Sequence, residues 1–371
     1  MKMSDLKKVI PIMKACIFES KIMEEYGEIH FLKDSICTFN DECIVQYPCK
    51  TNINQEFSVN FSSFEKVFGK LDDDATFTIV NNKLLIKSGR AKIKLVLRPF
   101  NLSSIKEKIK SIHPPKHKLK NPYHFNLFHA LEICSTAIVP FGSLSQPFNS
   151  YLYYKDSCMI GCSMFKAVRK QLKMEDEEIQ PFIISGDSAT VLTKTWSALE
   201  DFSELSIKYE IDKNSLCFNF YDIIFISISN SYGIVKYPIE KINDLFSIGG
   251  EKITYPNRQL LLGIIERISL FPKEFEDTTE RVFQEFDEKG IKFFSKNSIG
   301  SIKERCHLKQ KISNGCFSFQ YKDFKIILDK FLTDDKTPVL VKLYDEKGSS
   351  SFIFGDDKCK YIISATKEEL A

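Results

Sequence analysis

Cys37, Cys43 and Cys49 recur at intervals of six, four histidines (His113, His117, His124, His129) crowd into "HPPKHKLKNPYHFNLFH", and Asp72, Asp73 and Asp74 stand together in "LDDDA". Thiolates and imidazoles in the right spacing hold zinc, and clustered carboxylates hold hard divalent cations. Each group fails on spacing or setting. A six-residue interval is wider than zinc-ligand cysteine pairs use, so these cysteines read as buried strand residues. Two prolines make the first half of the histidine segment an extended, solvated connector. The aspartates fall between an amphipathic helix and a strand, where a polar turn accounts for them. The patterns GxxxxGK[ST], GxGxxG after a strand, HExxH and GxSxG are absent. No catalytic residue, metal or cofactor is therefore expected.

The elements that would position any site follow from length and pattern. A chain of 371 residues is too long for one ordinary core and implies two or three domains. Its eleven cysteines are scattered through apolar, strand-like runs in a chain with no signal peptide, so they read as reduced core residues of a cytoplasmic protein. No apolar run approaches the roughly 20 residues of a membrane span. The net charge of +3 is modest, but acidic residues collect in short loops ("LDDDA", "KMEDEEI") while lysines recur on helical segments. A local basic surface is compatible with that balance.

Repetition is the strongest signal. A helix "SSFEKVFGKL", an acidic loop and three strands occupy residues 62 to 98. The same order returns in residues 190 to 229 and again in residues 318 to 365. Between these copies, the amphipathic segments "SDLKKVIPIMKACIF", "NLFHALEICSTAIV" and "NRQLLLGIIERISLF" each lead into further alternating strands. Six helix-plus-strands units pair into three α+β domains, expected at 1–118, 119–248 and 249–371. The connector at His113 to Pro122 and "FSIGGEK" near Gly250 mark the joins.

Helical periodicity then assigns faces. Leu6, Val9, Ile10, Met13 and Cys16 form one buried stripe, Phe64, Val67, Phe68 and Leu71 a second. Leu260, Leu261, Ile264, Ile265 and Ile268 form a third, and Phe324, Ile327, Leu328 and Phe331 a fourth. The opposite faces carry Lys7, Pro11 and Lys14; Lys66 and Lys70; Gln259, Gly263 and Arg267; Lys322, Lys325 and Asp329. The middle stretch offers mainly Lys194, beside His129 and Thr136. A lysine face is usually just a solvated face, but four in equivalent repeat positions suggest a surface shaped for an anionic polymer.

At this point the sequence resembles the bacterial DNA polymerase III beta sliding clamp family over essentially the whole chain. "FEKVFGKLDDDATFTIVNNKLLIKSGRAKIKL" is similar to the family's first-domain helix, acidic loop and hairpin. "FNSYLYYKDSCMIGCSMFKAV" stands where the family has a strand and a Thr-Asp-Gly-His-Arg-Leu-Ala turn. "LLLGIIERISLF", "GIKFFSKNSIGSIKE" and "FQYKDFKIILDKF" followed by "VLVKLYDEKGSSSFIF" follow the third domain. The resemblance implies a non-catalytic homodimeric ring around double-stranded DNA, helices lining the lumen and sheets outside. It would tether a replicative DNA polymerase and bind an ATP-dependent clamp loader, both through short peptides, in a bacterial or infected-host cytoplasm. Lys7, Lys14, Lys66, Lys70, Lys194, Arg267, Lys322 and Lys325 would face the phosphates, which carry no sequence information directly.

The resemblance further implies a groove for short partner peptides, formed by Phe148, Cys162, Met164, Phe165, Lys166 and Ala167, then Pro238 and Ile242, then Ile362, Ser364, Ala365 and Thr366. Here the chain departs from the family. Ser163-Met164-Phe165-Lys166 replaces the Asp-Gly-His-Arg turn, and "SATKEELA" replaces a Met-Pro-Met-Arg-Leu ending, which suits a phage- or plasmid-encoded member serving its own polymerase. Met164 and Phe165 could alternatively pack in the core. The strand "AKIKLVL" would form the subunit joint, with Ile93 and Leu95 against Leu270 and Phe271 of a second copy. Two rivals stay open: a non-ring nucleic-acid-binding or scaffold protein, which light scattering would separate from a ring-sized dimer, and an enzyme with a site at a domain interface.

Overall fold

The computed structural model describes residues 3–18, 23–49, 55–98, 102–111, 115–119, 123–139, 147–173, 179–199, 207–211, 215–220, 223–227, 237–274, 280–308, 310, 312–332, 334–346, 349–356 and 358–369. The chain packs as two compact units. One comprises Met1–Glu132, Tyr153–Asp156 and Lys173–Lys236, the other Ile133–Leu152, Ser157–Leu172 and Tyr237–Ala371.

One order of elements recurs three times. The first stretch runs α1 (Met3–Met13), β1 (Glu28–Phe31), β2 (Ser35–Phe39), β3 (Cys43–Pro48), β4 (Phe57–Asn60), α2 (Phe61–Phe68), β5 (Thr76–Val80), β6 (Lys83–Ser88) and β7 (Ala91–Val96). After α3 (Ser103–Ser111) and β8 (His117–Leu119) come α4 (Tyr123–Ser135), β9 (Tyr151–Lys155), β10 (Cys158–Cys162), β11 (Lys166–Gln171), β12 (Phe182–Ser185), α5 (Gly186–Ser197), β13 (Ile207–Ile211), β14 (Leu216–Phe220) and β15 (Ile223–Ser227). After α6 (Ile239–Ser247) and β16 (Glu251–Asn257) come α7 (Arg258–Ile268), β17 (Lys273–Glu274), β18 (Glu280–Asp287), β19 (Gly290–Lys296), β20 (Ser301–Cys306) and β21 (Gly315–Gln320). The stretch ends with α8 (Tyr321–Ile326), β22 (Pro338–Glu346), β23 (Ser349–Gly355) and β24 (Cys359–Glu368).

Local chemistry explains the junctions. Asn60, Ser185 and Asn257 each end a strand and accept a backbone N–H three residues on, at 3.0, 3.1 and 3.0 Å. These caps satisfy donors that the first turns of α2, α5 and α7 leave unpaired. Asn81 and Asn82 both take positive φ (49° and 57°) in the two-residue turn from β5 to β6. Gly89 (φ 54°) does so alone in the turn from β6 to β7. Such primed turns match the twist of paired strands, and Asn and Gly tolerate them best.

In the first unit the sheet order is β4-β1-β2-β3-β15-β14-β13-β8, with β5-β6-β7 as a separate three-stranded sheet. The large sheet buries Tyr26, Cys37, Phe39, Ile44, Cys217 and Ile226 in one cluster. Phe31 stacks on Phe57 at 4.5 Å and meets Phe64 of α2 edge-on at 5.6 Å. In the second unit β10-β11-β24-β21-β18-β19-β20 run side by side, and β23, β22 and β16 continue from β24. Phe319, Phe324, Phe352 and Phe354 interlock there at ring separations of 5.0 to 5.6 Å.

Two sequence expectations change, the solvated connector and the inward Leu260, and two helices depart from regular geometry. The connector from His113 is not wholly solvated: His117–Leu119 pair antiparallel with β13, and His117 packs on Tyr209 at 5.5 Å. Its extended backbone suited an edge strand as well as a linker. Pro11 lies inside α1, and the helix tightens into a single 3-10 turn, Lys14–Cys16, soon after the lost N–H. Leu260, read as inward, is 51% exposed because it stands about 90° from the centre of the α7 stripe. Helix α8 passes into a π turn at Ile327–Phe331, keeping Ile327 and Leu328 buried. His113 and the side chain of His124 lie outside the described residues.

Candidate functional site

Of the cations expected on helix faces, five are held by carboxylates. Lys7 reaches Asp73 at 2.7 Å, and Lys14 reaches Glu65 at 2.9 Å. Arg267 grips Glu304 of β20 through two nitrogens at 2.6 and 2.8 Å. Lys325 meets Glu266 of α7 at 3.1 Å, and Lys322 meets Glu280 of β18 at 2.6 Å, whose hydrogen bond holds that carboxyl below its ordinary range. Lys66, Lys70 and Lys194 are exposed. The residue types and helix face were readable in the sequence. The carboxylate partners were not, since Lys7 and Asp73 lie 66 positions apart.

The expected groove residues all fall within the second unit. Ile160, Cys162, Ala167, Ile242, Phe246, Ile353 and Ile362 form one apolar cluster, flanked by half-buried Phe148, Tyr237 and Ile239. Strand register sets this up, because Cys162 stands opposite Ala167, and Ala167 opposite Ile362. Helix α6 adds Ile239, Ile242 and Phe246 at helical spacing, above Pro238, whose carbonyl accepts the Ile242 N–H at 3.1 Å. Phe148 meets the Tyr237 ring edge-on at 6.0 Å, and the Tyr237 hydroxyl lies 3.4 Å from Cys162 Sγ. Burial pushes the Cys162 thiol up to about 11, so it is a packing group and not a nucleophile.

Above this cluster Ser163 to Lys166 form a tight turn closed by Ser163 N–H to Lys166 O at 2.8 Å. Met164 and Phe165 at its tip are 71% and 40% exposed, so neither is core packing. The Ser364 N–H donates to Phe165 O at 2.7 Å and ties the turn to β24. Ser364 and Thr366 are exposed and Ala365 half-buried; Thr366 accepts from Arg281 at 2.8 Å. Lys166 points to Asp323 of α8 at 2.8 Å, both largely shielded from water. Sequence reasoning missed Tyr237, Phe246 and Asp323. The i, i+3, i+7 spacing of Ile239, Ile242 and Phe246 could have found the second of these.

The residues expected at a subunit joint lie in separate units. Ile93 and Leu95 are half-buried on β7, Leu270 is 66% exposed, and the Phe271 ring packs against Gly300 so closely that a Cβ there would meet it at 2.8 Å. Among the described residues no group of His, Cys, Asp or Glu could hold a metal ion. Cys37 and Cys43 are buried free thiols, and burial pushes Cys37 up to about 12. Asp72 accepts from the Ser88 hydroxyl at 2.8 Å, a turn contact. Among the described residues no helix is long and apolar enough to cross a membrane.

No family model matches the sequence. No curated protein matches it either. Solved structures do. The DNA polymerase III beta subunit of Thermotoga maritima superposes with a TM-score of 0.79 over 100% of this chain and 99% of its own, at 15% identity. The beta chain of Streptococcus pneumoniae gives 0.76 over 100% and 98%, at 14% identity. The DNA polymerase sliding clamp of Pseudomonas aeruginosa gives 0.72 over 100% and 99%, at 12% identity. The fold is therefore that of the sliding clamps, end to end.

Proposed function

We propose that this chain is a sliding clamp: two copies close into a ring around duplex DNA, and a DNA polymerase held on the ring stays with its template. The observation that carries the reading is the end-to-end likeness of fold to clamps of three bacteria. The cations gathered on α1, α2, α5, α7 and α8 add to it. In this reading the domains are 1–118, 119–248 and 249–371, and the protein binds rather than catalyses. Lys66, Lys70 and Lys194 meet phosphates directly, and the paired Lys7, Lys14, Arg267, Lys322 and Lys325 join them by exchanging a surface carboxylate for a phosphate. The single-contact lysine pairs among these are worth only about 0 to 1 kcal/mol and exchange most easily, whereas the two-nitrogen grip of Arg267 on Glu304 is firmer.

The cluster under Phe148 and Ile242 takes a short apolar peptide from the polymerase or an ATP-dependent loader, with the exposed Met164 and Phe165 at its lip. The protein works in the cytoplasm of a bacterium or an infected host cell. Ile93 and Leu95 of one copy pack against Leu270 and Phe271 of the other, twice, so the assembly closes on itself. Sedimentation tests this. The chain should run as a dimer of its 42.9 kDa mass. Leu270→Ala with Phe271→Ala should give folded monomers with unchanged circular dichroism that bind DNA weakly; a variant that stays dimeric overturns the joint.

A further inference from the structure

We infer that the joint between two copies sets cations against cations, so that their association strengthens as salt is added. The inference rests on the reading above that β7 and the end of α7 meet across the joint.

Both strands that would meet are terminal. β7 ends the sheet β5-β6-β7, and β20 ends the run β18-β19-β20. Along β7, Ile93 and Leu95 point to one face and Lys92, Lys94 and Val96 to the other. Cross-strand register extends the cationic face, placing Lys87 opposite Lys92 and Lys83 opposite Val96. The strands β5, β6 and β7 contain no acidic residue. Among the described residues Lys83, Lys87, Lys92 and Lys94 make no ion pair.

On β20, Ile302 and Glu304 turn toward α7, where Arg267 holds Glu304. Ser301, Lys303 and Arg305 therefore share the opposite face, next to Lys296, Phe294 and Lys292 of β19. On that face Lys292 is paired with Glu285 and Arg305 with Asp287, while among the described residues Lys296 and Lys303 make no ion pair. Packing Ile93 and Leu95 against Leu270 and Phe271 puts the apolar face of β7 on the α7 side. Lys92 and Lys94 then fall on the same face as Lys303 and Lys296.

Like charges facing each other across paired strands are destabilising. The apolar contacts under them are not weakened by added salt, whereas repulsion between exposed charges is screened over a Debye length of about 10 Å at 0.1 M and about 3 Å at 1 M. Salt therefore acts on the two functions in opposite directions: it loosens phosphate contacts and tightens the joint.

Sedimentation equilibrium of the full chain without DNA tests this between about 0.05 M and about 0.5 M sodium chloride, with dimerisation expected to tighten about tenfold across that range. Lys92→Glu with Lys94→Glu should dimerise more tightly than the parent at the lower salt and weaken as salt rises. A parent dimer that weakens with salt, or a charge-reversed variant indistinguishable from the parent, overturns the inference. Failure of the underlying joint looks different: Leu270→Ala with Phe271→Ala would then leave the dimer unchanged at every salt concentration.

Discussion

Lys166 and Lys7 each end close to a carboxylate, at 2.8 Å from Asp323 and 2.7 Å from Asp73, yet the two contacts do different work. The first is 16% and 8% exposed and joins β11 to α8 beside the apolar cluster. The second is 41% and 79% exposed, between α1 and the acidic turn. A shielded pair must be kept whole, because removing one partner strands a charge away from water. An open pair has water on both sides and is readily traded for another anion. Distance alone does not separate a structural ion pair from a binding surface; burial does. Beside the apolar cluster the cation is therefore part of the scaffold, and on the helices it remains open to exchange with another anion.

The largest expected effect comes from breaking the shielded pair. Asp323→Ala should lower stability by about 3 to 5 kcal/mol, read from the urea midpoint, whereas Asp73→Ala should change it by less than about 1 kcal/mol. Equal losses would remove the distinction. Next, Phe148→Ala should weaken binding of the polymerase by about tenfold or more while leaving DNA binding alone, since a small apolar site concentrates its energy in few contacts. Unchanged affinity would place the peptide elsewhere.

On the helices, Lys66→Ala with Lys70→Ala should flatten the salt dependence of DNA binding by about two phosphate contacts, measured as the slope of log affinity against log salt. Asp73→Asn, which frees Lys7, should instead raise affinity about two- to fivefold. No change in either would take these faces out of the DNA path.

The smallest effect is a pH dependence inside the first unit. Burial raises the Glu28 carboxyl from 4.5 to about 7, against the pull of Arg98 and Asn60, and burial likewise raises Glu42 to about 7. Below 4.5 such a group is protonated in both folded and unfolded chains. As pH rises from 4.5 to about 7 the carboxyl ionises in the unfolded chain while the folded chain keeps its proton, so stability falls across that window. His30 works the other way: burial lowers it from 6.5 to about 4, so it adds stability between those values as pH rises. Glu28→Gln should therefore gain thermal stability relative to the parent between about pH 5 and about pH 8. A constant difference across that range would show that Glu28 does not titrate there.

Much of this was legible in the sequence, for identifiable reasons. Helix stripes such as Leu6, Val9, Ile10 and Met13 follow from a local period. The fold followed from repetition of those local units. What escaped was set by distant register. Nothing near Lys14 announces Glu65, 51 positions on, and nothing near Lys166 announces Asp323. Leu260 was misread because a period cannot tell the edge of a stripe from its centre. Met164 and Phe165 have core-like side chains, but the turn closed between Ser163 and Lys166 carries them outward.

The central claim is topological, and one measurement addresses it directly. Labelled protein placed on linear duplex DNA, trapped by ligating that DNA into a circle, and passed through gel filtration in moderate salt should elute with the circle. A single double-strand cut should then release it within the time of the run, while a nick should not. Equal retention on cut and closed DNA, or equal loss from both, would contradict a ring.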